Sequence, residues 1–267
     1  MAGLIFPNIG IFGGSGSGKS TFAKLLIAGM LANVPYVVIV NESRELSEFA
    51  AKTEYISIEQ ANGEWNAEKL AAVIKYYKRV HFEIDVNRPV KFLDALAVAI
   101  KSLGEYDAQR ARVLLVVDEC HKFLSKAVYR QSQNVQALDA QMRKWGVILL
   151  KITPRISSTS EDAIAHDALA QCRQQFVFPM NADVDIQAAR KLGFPDPSSL
   201  LYPDPERNLP GEYYAKDNTK GTMFHVRRNP DGTREAVQIG GLPANLEAYR
   251  QAYGLNGVRN GGQTHAS

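Results

Sequence analysis

The chain has 267 residues, 45% hydrophobic, 22% charged and 9% aromatic, which excludes a disordered tail and leaves room for one or two domains around a sizeable core. Its apolar runs, such as Val113 to Val117, fall far short of the ~18 residues of a membrane helix, and the N-terminus lacks the basic start and apolar stretch of a signal peptide, so the reading is a soluble, cytoplasmic protein without a transmembrane segment. Thirty-one basic residues against 28 acidic ones leave a net charge of +3, which permits nucleic-acid binding without arguing for it and requires any DNA footprint to be local.

In chain order, strands are predicted at Leu4 to Phe12, Tyr36 to Val40, Val80 to Val86, Val113 to Val117, Gly146 to Ile152 and Gln175 to Phe178, with helical patterns between them. Phe22, Leu25, Leu26 and Met30 recur on one helical face after the first strand, and Val135, Leu138, Met142 and Trp145 do so before the fifth. This alternation is the sequence form of a mostly parallel sheet flanked by helices. From Pro195 the character changes. Prolines 195, 197, 203, 205 and 210 punctuate a loop, after which Glu212 to Ala215, Thr222 to Arg228 and Arg234 to Ile239 read as short strands. Asn229-Pro230-Asp231-Gly232 is a turn between the last two, because proline presets φ and glycine accepts positive φ. The expected organisation is a core over 1–194, a small antiparallel β extension over 195–253 and a disordered tail over 254–267, rich in Gly, Asn and Ser. Two cysteines without a CxxC pair (Cys120, Cys172) and five scattered histidines point to neither a disulfide framework nor a zinc site.

The strongest chemical signal is Gly13-Gly14-Ser15-Gly16-Ser17-Gly18-Lys19-Ser20-Thr21, which fits GxxxxGK[ST] between an apolar strand and an amphipathic helix. In such a loop successive N–H groups turn toward phosphate oxygens, Lys19 reaches the β and γ phosphates of ATP, and Ser20 ligates Mg²⁺. The bland alternative is a Gly/Ser-rich loop that merely opens a helix. The second signal is the apolar run Val113 to Val117 followed by Asp118 and Glu119. A buried strand does not end in adjacent carboxylates without a cation or proton to manage, since unpaired buried charge is costly. Asp118 suits the Mg²⁺ shell and Glu119 the attacking water; the alternative is a helix-capping Asp with a first-turn Glu. Glu42, after the second strand, is the runner-up base.

These residues resemble the HerA/FtsK superfamily of P-loop ATPases over roughly 8–180. "VLLVVDECHKF" looks like the family's apolar strand ending in two acids, "MRKWGVILLKITPRISS" like its arginine-led entry into the next strand, and "ALAQCRQQFVF" like the helix and strand that follow. The resemblance implies a RecA-like P-loop NTPase core in which another strand separates the phosphate-loop strand from the acidic one. It also implies Arg143, with Arg173 as the alternative, as a finger reaching a neighbour's ATP; the alternative for either is an ordinary ion pair. The family places a polar sensor, commonly glutamine, where this chain has Thr153, a shorter side chain that puts γ-phosphate sensing in question. The phosphate loop begins about a dozen residues in, which leaves no room for the N-terminal barrel of HerA-type helicases or the membrane segments of FtsK-type pumps. That size resembles the genome-packaging ATPases of membrane-containing double-stranded DNA viruses. Such proteins imply double-stranded DNA as partner, a homo-oligomeric ring (pentamer or hexamer), a capsid or membrane vertex, and a location in host cytoplasm or on the virion.

Two basic segments are candidates for DNA contact. Lys122, Lys126 and Arg130, at i, i+4 and i+8, make one stripe on a continuous helix, either pore-facing or merely solvated. Lys75 to Arg79 ("KYYKR") mixes aromatic and basic residues as single-strand platforms do, or else ends a surface helix. A P-loop kinase for a small metabolite and a nucleotide-binding structural subunit with little turnover are the competing functions; the absence of an LSGGQ-like signature disfavours an ABC-type ATPase.

Overall fold

The computed structural model describes residues 8–84, 88–103, 111–156, 164–241 and 257–260. The chain forms two compact units, one of Met1–Gly10 with Ser20–Cys172 and the other of Ile11–Lys19 with Arg173–Ser267.

The first unit is a helix-covered parallel sheet. It is built from the start of β1 (Asn8–Phe12), then α1 (Lys19–Met30), β2 (Tyr36–Asn41), β3 (Lys52–Ile56), α2 (Ala67–Tyr77), β4 (Arg79–Ile84), α3 (Val90–Leu103), β5 (Val113–Val117), α4 (Cys120–Phe123), α5 (Lys126–Gln131), α6 (Gln133–Gln141), β6 (Val147–Thr153) and α7 (His166–Ala170). Its strands run β1-β6-β5-β2-β4-β3, and β6, β5, β2, β4 and β3 pair in parallel. β6 thus separates the strand leading into the phosphate loop from the one ending in two acids. Every residue of β5 and β6 is buried, which is why these strands read as apolar runs rather than alternating patterns. Side chains that fix the helices are polar and local. Asn66 accepts the Lys69 N–H at 2.9 Å to start α2, and Ser132 accepts the Val135 N–H at 3.1 Å to start α6. The Ser132 hydroxyl also donates to Asp94 at 2.6 Å, which ties α6 to α3.

Several expectations are corrected here. β3 was not foreseen, and β4 begins at Arg79; of the strands expected from Leu4 and to Val86, residues 4–7, 85 and 86 lie outside the described ones. On α1 the buried residues are Phe22, Ala23 and Ile27, while Leu25 is 63% exposed, so the apolar stripe is rotated from the expected one. The basic stripe is broken. α4 stops at Phe123, and Ser125, which accepts the Val128 N–H, starts α5 anew, so Lys122 stands on a different helix from Lys126 and Arg130.

The second unit joins Ile11–Lys19 to β7 (Gln174–Val177), α8 (Asp183–Lys191), β8 (Tyr213–Asp217), β9 (Thr222–Arg228), β10 (Arg234–Gly240) and β11 (Gly257–Asn260). Its order is β11-β10-β9-β8-β7. β7 to β10 pair antiparallel in succession, and β11 adds in parallel to β10. The core is aromatic, with Phe178 stacked on Tyr213 at 5.0 Å and Phe176 edge-on to it at 6.1 Å. The expected antiparallel extension is present, with its turn at Asn229 to Gly232 closed by an N–H to carbonyl bond of 3.0 Å. Two boundaries differ. Backbone pairing of β7 with β8 ties Arg173 onward to the C-terminal strands, so the division does not fall at 194. Residues 257–260 of the expected structureless tail form a strand because β10 offers them an edge to pair with.

Candidate nucleotide site

The phosphate loop lies in the second unit, between β1 and the start of α1. Two of its glycines, Gly16 (φ 70°) and Gly18 (φ 92°), adopt left-handed backbone that turns successive N–H groups to one side. Gly13 is required for a different reason: a Cβ there would stand 2.5 Å from the Phe178 Cβ and 2.7 Å from the Ser17 Oγ. The loop is anchored from the chain's far half, because the Gly14 N–H donates to the Pro179 carbonyl at 2.8 Å and the Phe178 N–H to the Phe12 carbonyl at 2.7 Å. Tyr202 and Pro203 crowd the space beside Gly14 and Gly18. This support is not legible locally, since nothing in Phe178, Pro179 or Tyr202 marks them as neighbours of a loop so distant in the chain. The Lys19 ammonium folds back to donate to the Gly14 carbonyl at 3.3 Å, and the Ser17 hydroxyl is buried with no hydrogen-bond partner among the described residues. A loop too tight for a Cβ at Gly13, left-handed glycines at 16 and 18 and a lysine folded back over it fit a nucleotide phosphate.

The acidic pair lies in the first unit. Because β2, β5 and β6 are parallel, Asn41, Asp118 and Thr153 emerge along one edge of its sheet. Asp118 is 7% exposed and accepts the Glu119 N–H at 2.9 Å. Glu119 itself is left-handed (φ 49°, ψ 40°), a conformation that costs about 1–3 kcal/mol in a non-glycine residue and that concentrates at functional sites. Its Oε2 stands 3.2 Å from the His121 Nδ1, which in turn stands 3.1 Å from the Thr153 Oγ1. The other candidate base, Glu42, is clasped by Lys122 at 2.5 Å. Lys122 is therefore an ion-pair partner inside this edge. Ser20 belongs to the same unit and, with Asp118, supplies hard oxygen ligands of the kind Mg²⁺ takes. His121 belongs to no chemical motif of its own; its position two beyond Glu119 is the one signal in the sequence.

The remaining candidates are spread out. Arg143 is exposed on the 3-10 turn Met142–Trp145 that leads into β6, so the length of that strand, about 20 Å at ~3.3 Å per residue, separates it from Thr153. Arg173, in the second unit, accepts the Asn218 N–H on its carbonyl at 2.7 Å. In the Lys75 to Arg79 segment α2 ends at Tyr77, Lys78 turns the chain with φ 65° and Arg79 opens β4; Tyr76 is 79% exposed. Behind the acidic edge, Lys151 is wholly buried and pairs with Asp139 at 2.6 Å. Asp139 also accepts from Asn8 at 3.0 Å and from the Tyr129 hydroxyl. Burial pulls the Lys151 ammonium down, but Asp139 beside it holds it above its usual range. Both cysteines are buried and neither forms a disulfide among the described residues, and burial pushes the Cys172 thiol up to about 11, which makes it a poor nucleophile.

The fold and loop define a P-loop ATPase architecture. The chain belongs to the family described as the central domain of the helicase HerA, whose model matches residues 1–175. No curated protein matches it. Among solved structures it is similar to B204, the DNA-packaging ATPase of Sulfolobus turreted icosahedral virus, at 15% identity over 84% of this chain and 100% of that one, with a TM-score of 0.59. The AMP complex of B204 from Sulfolobus turreted icosahedral virus 2 aligns at 14% identity over 82% and 96%, TM-score 0.58. VirB4 of Thermoanaerobacter pseudethanolicus aligns at 12% identity over 84% and 90%, TM-score 0.57. Likeness at these identities establishes a shared fold. Among the described residues no helix is long and apolar enough to cross a membrane.

Proposed function

We propose that this protein is an ATP-hydrolysing motor that translocates double-stranded DNA, and that its task is packaging a viral genome into a capsid. The observation that carries the reading is the phosphate cradle of Gly13 to Lys19, in a chain whose sequence also supplies Asp118 and Glu119. In this reading the backbone N–H groups of the loop and the Lys19 ammonium hold the β and γ phosphates, and Glu119 orients and deprotonates the attacking water. Ser20 and Asp118 are the residues that would hold Mg²⁺, which when bound would supply positive charge to the phosphates. Arg143 acts from a neighbouring subunit, which requires a homo-oligomeric ring. The resemblance to B204, a DNA-packaging ATPase, supports the packaging role. In this reading the protein works in host cytoplasm or on the virion, against a capsid or membrane vertex.

The test is ATP turnover with and without double-stranded DNA, measured beside the mass of the assembly. Stimulated turnover in a ring supports the motor. Phosphoryl transfer to a small acceptor, or nucleotide binding without turnover, would replace it with a kinase or a structural subunit.

A further inference from the structure

We infer that His121 is a positioning residue that links the short Thr153 side chain to the Glu119 carboxylate, so that hydroxyl and imidazole together reach the base. The inference rests on the proposed role of Glu119 as the base for water.

The geometry fixes both ends of the link. Val117 pairs with Lys151 at the end of the parallel register of β5 and β6, so the residues that follow the two strands leave the sheet side by side. Thr153 is fully buried, and its hydroxyl accepts the Arg155 N–H at 3.1 Å while donating to the Arg155 carbonyl at 3.0 Å. These two bonds to the residue two further on lock the side chain to the turn after β6. A hydroxyl has one proton, and here it is directed to the carbonyl of Arg155, so Oγ1 receives His121 as an acceptor. Glu119 Oε2, as a carboxylate oxygen, is an acceptor too. Both neighbours of the His121 Nδ1, at 3.1 and 3.2 Å, therefore require a proton on that nitrogen. One N–H is shared between the base and the strand end, and the imidazole, with 12% of its side chain exposed, is held in place between them. Any movement of the 153–155 turn thereby shifts the donor that orients Glu119.

Two measurements test the link. In the full-length protein, His121→Ala and Thr153→Val should each lower kcat by about ten- to a hundredfold, the scale of a misplaced reacting group. Affinity for a fluorescent ATP analogue should stay within about threefold. The double variant should be no slower than the worse single one, and His121→Asn, which keeps a donor near the Nδ1 position, and Thr153→Ser should recover most of the rate. Multiplicative losses, or nucleotide affinity falling in step with rate, would overturn the inference. The second measurement needs no turnover: with ¹⁵N-labelled histidine and the His121→Asn variant for assignment, neutral His121 should carry its proton on Nδ1 and lose that preference in Thr153→Val. A neutral ring protonated on Nε2 in the wild type overturns the link even if the protein hydrolyses ATP. An Nδ1–H in a protein without turnover upholds the contact and refutes the motor and the catalytic consequence of the link.

Discussion

At the scale of single residues, the loop and the acidic edge call for opposite failures. In the proposed mechanism Lys19 is the fixed counter-charge to the β and γ phosphates, so Lys19→Ala should weaken nucleotide binding and abolish turnover together. Glu119→Gln keeps shape but cannot take up a proton, and should hold ATP while losing the chemical step by about 10²–10⁴-fold. Filter retention of labelled ATP beside phosphate release separates the two; if Glu119→Gln hydrolyses normally and Glu42→Gln does not, the roles of the acids must be exchanged. Gly13 fails by crowding. An alanine there would drive its Cβ into Phe178 and Ser17, and Gly13→Ala should cost about 1–3 kcal/mol in thermal unfolding as well as nucleotide affinity. Gly16→Ala meets no atom within 4 Å and should cost only about 1 kcal/mol, from its positive φ alone.

At the scale of elements, what was legible in the sequence is what local chemistry determines. The β-branched runs of β2, β5 and β6 and the nonapeptide of the phosphate loop announce themselves because burial on both faces and phosphate binding each demand particular residues in succession. β3 was hidden because its sequence, Lys-Thr-Glu-Tyr-Ile, is half-exposed at the end of the sheet and satisfies neither pattern. β11 depends on an open edge at β10, and the break at Ser125 combines a local cap on the Val128 N–H with a bridge to Ile164. The Lys151–Asp139 pair was equally invisible, since a lysine inside an apolar strand acquires meaning only when its counter-ion on α6 is known. Lys151→Met should destabilise the protein by about 3–5 kcal/mol, because it strands a buried carboxylate. Replacing Asp139 by leucine in the same chain should return much of that loss. Urea denaturation of the two variants decides it, and equal midpoints would show that Asn8 and Tyr129 satisfy Asp139 by themselves.

At the scale of the whole molecule, the position of Arg143 matters most. It stands at the start of β6 while Thr153 stands at its end, so within one chain it lies a strand's length from the residue that His121 joins to Glu119. A guanidinium supplied from a neighbour contributes on the order of 10³–10⁵ in rate in other P-loop systems. Arg143→Ala subunits, inactive alone, should therefore regain turnover when mixed with inactive Glu119→Gln subunits, since some interfaces then join an intact base to an intact finger. Mixed assemblies that stay silent would move the role to Arg173.

The footing of the phosphate loop also limits how the protein can be dissected. The stretch that defines its family ends at residue 175, yet the atoms that brace Gly13, Gly14 and Gly18 come from Phe178, Pro179, Tyr202 and Pro203. The signature of the family and the scaffold that keeps this signature in shape are thus encoded in different parts of the gene. Divergence in the C-terminal third, beyond the reach of the family pattern, is then free to retune nucleotide affinity without altering one letter of the motif, and a minimal ATP-binding fragment must extend at least through Pro203.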